Sequence, residues 1–150
     1  MVGEAFMISE DTIKLLKECN AGVKMGVSSL DDVVKHVKNE TVKKLLLDCK
    51  EKHEKLGEET HKILNEYHDE GKEPNFLAKG MSWMKTNVQL AMNESDKTVV
   101  DLITDGCNMG VKSLSRYLNQ YSNADERVKD IVKRLINIEE KLVIDLRPYL

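Results

Sequence analysis

Three features of the 150-residue sequence predict an all-α fold built around four long helices. Apolar residues recur in alternating steps of three and four, which return them to one helical face. Only two prolines, Pro74 and Pro148, stand in the chain, leaving uninterrupted stretches that turn-rich β proteins rarely show. A segment near the start also recurs near the end, so the helices come as two related pairs.

The first stripe runs through Ile13, Leu16, Val23, Val27, Leu30, Val34 and Val37, with Asn20 as its one polar member. Ser9 is placed as the N-cap of this helix, and Lys38-Asn39-Glu40 as the polar joint that follows it. The second stripe is Val42, Leu46, Cys49, His53, Leu56, Thr60, Ile63 and Tyr67, stopped by Gly71 and then Pro74. Together they make a hairpin over residues 10–70. A shorter amphipathic helix is expected over 75–92, carrying Leu77, Met81, Met84, Val88 and Ala91. A second hairpin over 98–150 begins with a helix from about Thr98 to Tyr121 and ends with the stripe Val128, Val132, Leu135, Glu139, Leu142, Leu146 and Tyr149.

The repeat sets Cys19-Asn20-Ala21-Gly22-Val23-Lys24 over Cys107-Asn108-Met109-Gly110-Val111-Lys112. It also sets Asn39-Glu40-Thr41-Val42 over Asp125-Glu126-Arg127-Val128, and His53-Glu54-Lys55-Leu56 over Glu139-Glu140-Lys141-Leu142. Two hairpins, each apolar on one face, bury those faces against each other. The 75–92 helix would span roughly 27 Å, enough to return the chain along the bundle. A long second connection is the mark of ferritin-like order, so the predicted architecture is a single ferritin-like four-helix domain over 1–150, two repeated hairpins joined by a crossover helix.

A net charge of -3 argues against a general nucleic-acid binder. Met1 to Ser9 has no basic cluster followed by an apolar run, and nowhere do eighteen apolar residues stand together, so neither a signal peptide nor a membrane span is expected. Three cysteines without a CxxC suit a reducing, cytoplasmic setting.

The repeat, the helical crossover and the run Asp105-Gly106-Cys107-Asn108-Met109-Gly110 resemble an uncharacterised bacterial family of small ferritin-like proteins, over about Asp11 to Leu150. That resemblance implies a ferritin-like bundle and no particular activity. The broader ferritin-like group holds two metal ions with inward carboxylates and Glu-x-x-His pairs. Here Asn20 and Asn108 occupy the slots where acids are expected, and Lys50 and Ile136 stand three residues before His53 and Glu139. The one formal Glu-x-x-His, Glu58 to His61, falls on the outer face.

Asn20, His53, Asn108 and Glu139, one from each long helix, are expected to form a polar layer in the core. Such groups need partners, since an unsatisfied buried donor or acceptor costs roughly 1–3 kcal/mol. A self-satisfied network around a His53–Glu139 pair is the first reading; a mononuclear iron or zinc site using His53 and Glu139, with Cys49 or Glu54, is the second. Cys19 and Cys107 are related by the repeat, which makes their meeting conceivable. The Met-rich crossover, with Phe76 and Trp83, is the expected dimer surface. No phosphate loop or nucleophile elbow is present. The expectation is therefore a non-enzymatic bundle with a degenerate metal site and no resident cofactor, acting as a homodimeric structural or interaction protein. The alternative is an iron- or zinc-binding protein.

Overall fold

The computed structural model describes residues 2–67 and 95–150. These fold as α1 (Val2–Val34), α2 (Glu40–Glu66), α3 (Asp96–Gln120) and α4 (Glu126–Leu146), with a short 3-10 turn at Arg147–Tyr149. Among the described residues there is no strand, and no helix is long and apolar enough to cross a membrane. The expected crossover over 75–92 lies outside them.

Helix α2 starts where Asn39 caps it, its side-chain oxygen accepting from the backbone N–H of Thr41 at 2.9 Å and Val42 at 3.1 Å. Asp125 opens α4 in the same way, accepting from Arg127 N–H at 2.8 Å. These two caps are the pair that the repeat set over each other. Helix α1 begins at Val2, so Ser9 lies within the helix and not at its N-cap position. It also ends at Val34, short of the joint expected near Asn39.

Side-chain to backbone bonds fix how the hairpins dock. The Asp96 carboxylate, at the start of α3, accepts from Lys38 N–H at 3.0 Å and Asn39 N–H at 2.7 Å, in the α1–α2 turn. At the other end Asp11 accepts from Asn123 N–H at 3.0 Å and Thr12 from Asp125 N–H at 2.8 Å, in the α3–α4 turn. Arg127 of α4 pairs with Glu66 at the end of α2, 3.0 Å away. The end of α2 and the start of α3 therefore lie at opposite ends of the bundle, and these two helices run parallel. α1 packs on α2, α3 on α4, and α2 on α4, while α1 and α3 approach each other more loosely.

The core divides into two apolar clusters. One holds Leu30, Val33, Val42, Leu46, Val99 and Leu146 near the α1–α2 turn. The other holds Leu15, Leu16, Leu64, Val128, Ile131 and Leu135 near the α3–α4 turn. Every stripe residue expected on α2 is buried except the half-buried Tyr67, and every one expected on α4 is buried except the half-buried Tyr149, with Ile131 buried in addition. Helix α1 buries more than one stripe: Thr12, Leu15, Glu18, Ala21 and Ser29 are buried as well, because a second face looks toward α3.

Candidate functional site

Between the two clusters sits a pair of ionisable side chains from different hairpins. His53 of α2 is 2 % exposed and Glu139 of α4 is 8 % exposed. Their Nε2 and Oε1 atoms are 3.5 Å apart. That is longer than the 2.7–2.9 Å of a tight charge-assisted bond, so the contact is an ion pair across a small gap. The other ring nitrogen, Nδ1, donates to the Cys49 carbonyl oxygen one turn back, at 2.8 Å, with the Cys49 thiol 3.5 Å away. Oε2 of Glu139 has no hydrogen-bond partner among the described residues.

Burial pulls His53 down, but the side chains of Cys49 and Glu139 outweigh it and lift the imidazole to about 10. Burial likewise pushes Glu139 above the usual carboxylate range, with His53 opposing. The pair thus retains a proton at neutral pH, and both ring nitrogens are then donors, as their two neighbours require.

Glycines on the opposite helices make room for both side chains. A Cβ on Gly26 of α1 would lie 2.7 Å from Cδ2 and 2.9 Å from Nε2 of His53. On Gly110 of α3 it would meet the Glu139 carboxyl group, 3.0 Å from Cδ and 3.1 Å from Oε1. Gly26 and Gly110 are therefore structural counterparts, whereas the sequence repeat had set Gly22 over Gly110. The observed phase is four residues, about one turn, further along α1. It superposes a longer motif, Gly22-x-x-Met25-Gly26-Val27-x-Ser29 over Gly106-x-x-Met109-Gly110-Val111-x-Ser113. That match was the available signal, and the Cys-Asn-x-Gly-Val-Lys match concealed it.

The corrected phase explains which expected site residues fall away. Asn108 aligns with Lys24 and, like it, is exposed, so it takes no part in a core layer. Asn20 is buried, but six residues from Gly26 and hence about 9 Å along the helix from the His53 level. Its counterpart is Thr104; Asn20 Nδ2 and Thr104 Oγ1 are both buried without a hydrogen-bond partner among the described residues. Glu54 faces solvent, with the Lys50 ammonium 3.9 Å away, because it lies one residue off the buried stripe. Cys49 does stand beside His53. Cys19 and Cys107 lie in different clusters, and Cys19 instead approaches Thr60 Oγ1 at 3.9 Å. Glu58 and His61 are exposed as expected, and His36 is exposed too. Phe76 and Trp83, on the expected dimer surface, lie outside the described residues.

Sequence reasoning missed Glu18. This carboxyl group of α1 is 8 % exposed and shares a hydrogen bond with Tyr117 of α3, while its Oε2 has no partner among the described residues. Burial raises its pKa and the bond to Tyr117 lowers it, with a net rise. The same surroundings push the Tyr117 phenol up. Glu18, Tyr117, Glu139 and His53 all line a solvent-open groove between α1 and α3 whose cavity measures about 120 Å³.

Among the described residues, no three His, Cys, Asp or Glu side chains converge as metal ligands. The nearest approach to a donor set is the two-member His53–Glu139 pair, with Nδ1 already committed to a carbonyl. That set fits neither a dinuclear carboxylate site nor a closed zinc site, which take four or more protein donors.

These features define an all-helical protein of two docked hairpins with a buried imidazole–carboxylate pair at their junction. Comparison finds no matching protein family, no matching characterised protein and no matching solved structure.

Proposed function

We propose that this chain is a non-enzymatic bundle of ferritin-like order whose His53–Glu139 pair is a metal-free ion pair, and that it serves as a homodimeric interaction protein. The observation that carries the reading is the pair itself: two donors 3.5 Å apart, no third ligand beside them among the described residues, and glycines shaped to admit an imidazole and a carboxylate. The parallel α2 and α3 support ferritin-like order, since that order needs its second connection to travel the length of the bundle.

Self-association is the natural use of the exposed apolar side chains Leu47 of α2 and Ile144 of α4, 45 % and 53 % exposed, together with Leu150. Sedimentation at tens of micromolar, on the order of ordinary working concentrations, should give a dimer, weakened by Leu47→Glu with Ile144→Glu.

The decisive experiment is metal analysis of protein purified without chelator, with melting curves in added zinc or iron(II). The metal-free reading expects no stoichiometric metal and no rise in melting temperature. Stoichiometric metal lost on His53→Ala, with the helical spectrum intact, would replace it with the iron- or zinc-binding reading.

A further inference from the structure

The groove between α1 and α3 is bounded by an unusual run of small residues. Gly22, Gly26 and Ser29 line it from α1, and Gly106, Gly110 and Ser113 from α3. A glycine inside a helix is worth about 1 kcal/mol less than alanine, and at Gly26 and Gly110 a close neighbour accounts for it. Gly26 and Gly110 admit the His53–Glu139 pair to the groove floor. By itself such a stripe would signify only close helix approach. Here the helices are instead held apart, and space remains between them.

What points to an occupant is the pair of carboxyl groups. Glu18 and Glu139 are each more than nine-tenths buried, each lines the groove, and each keeps one oxygen without a hydrogen-bond partner among the described residues. Against these two acids the lining, among the described residues, contains one imidazole and no lysine or arginine. With His53 matched to Glu139, the Glu18 carboxyl group is left without a basic partner among the described lining residues. Beside it stands Tyr117, stacked on Tyr121 with ring centroids 6.2 Å apart. An aromatic face next to a buried carboxylate favours an organic cation on two counts. The rest of the wall is apolar: Met25, Leu30, Ile103, Met109 and Leu114. Methionines adapt to varied apolar shapes. The cavity measures about 120 Å³, of the order of the ~150 Å³ apolar cavity that takes up a benzene ring.

We infer that the α1–α3 groove binds a small organic monocation with an apolar body, its ammonium group at Glu18 and Tyr117 and its apolar part along Met25, Met109 and Leu114. This goes beyond the interaction role proposed above, since neither metal nor dimerisation is needed for it. A single charge is specified because His53 already accounts for the second carboxylate. A neutral molecule could donate to the Glu18 oxygen but would bring no charge to match it, and an anion would face two carboxyl groups.

The test uses the full chain and three probes of one shape: 2-phenylethylamine, 2-phenylethanol and 3-phenylpropionate, titrated by calorimetry with chemical shifts followed by NMR. The amine should bind one-to-one, the alcohol roughly tenfold or more weakly, as expected for loss of one buried charge contact, and the acid not at all. Shifts should centre on α1 and α3. Glu18→Gln should bring the amine down to the affinity of the alcohol while leaving the alcohol unchanged. Met109→Lys, at a position already 49 % exposed, places a cation in the wall without disturbing the core and should abolish amine binding with the helical spectrum intact. Equal affinity for amine and alcohol, no amine binding to the full chain, or an amine preference that survives Glu18→Gln would each overturn the proposal.

Discussion

The Nε2 atom of His53 lies 3.5 Å from Oε1 of Glu139, and this contact joins the second helix of one hairpin to the second helix of the other. It stands between two apolar clusters that would otherwise meet as one continuous core. Because both groups are buried, each depends on the other for compensation far more than a surface pair would.

Removing one member should therefore be costly. Glu139→Ala leaves a buried imidazolium, and a loss of about 3 kcal/mol is expected in urea unfolding. Replacing both residues by leucine should cost much less than the sum of the two single changes, since no charge is then left unmatched. A strictly additive double-mutant cycle would show that the two side chains do not sense each other.

The pair should also leave a signature in pH. His53 is raised from 6.5 to about 10, so between those values the folded chain binds more protons than the unfolded one. Its contribution to stability is complete below pH 6.5 and is lost as pH rises through about 10. Glu139, also raised, acts in the same direction. The wild type should lose stability across that window faster than the double leucine variant. Parallel curves for the two proteins would remove the pair as the cause.

Three glycine-to-alanine changes should diverge although all occupy helix interiors. Gly26→Ala drives a Cβ into the rigid His53 ring, and a cost of about 1–3 kcal/mol is expected. Gly110→Ala should cost less, because a carboxyl group can pivot where a ring cannot. At Gly22 the added Cβ finds ordinary contacts, 3.9 Å from Leu135 and 4.0 Å from Leu114, so Gly22→Ala should stabilise by about 0.5–1 kcal/mol. Thermal melts of the three variants give the ranking directly.

The thiols report on opening of the core. Cys19 is fully buried and its pKa is pushed up to about 12, chiefly by that burial, while burial also raises Cys107. Alkylation of both at pH 8 should be slow in the native protein and quicken with urea as the clusters open. Rapid modification of Cys19 without denaturant would show that its end of the bundle opens locally.

The sequence made the two inner helices far more legible than the outer ones. Helices α2 and α4 each bury one stripe, so steps of three and four locate Val42, Leu46, Leu135 and Leu142 directly. Helix α1 faces both α2 and the groove, and a single-stripe reading cannot show that Glu18 and Ser29 are buried too. The repeat misled for a geometric reason. A slip of four residues turns a helix by only about 40°, so the apolar pattern survives it while residues at the edge of the buried face exchange places. Asn108 went from core to surface in that way. His53 and Glu139 were legible because a polar residue on an apolar stripe is conspicuous; the groove was not, because it arises from what glycines leave out.

The turns hold one more implication. Asp96 of the second hairpin fastens the bend of the first through Lys38 and Asn39, while Asp11 and Thr12 of the first fasten the bend of the second. Each half thus carries the clasp for its counterpart, as two identical hairpins would if they embraced about a twofold axis. The chain has the logic of a tethered dimer. Cut between α2 and α3, its halves should find each other again in solution, and the bond that links them serves to keep them at a high mutual concentration.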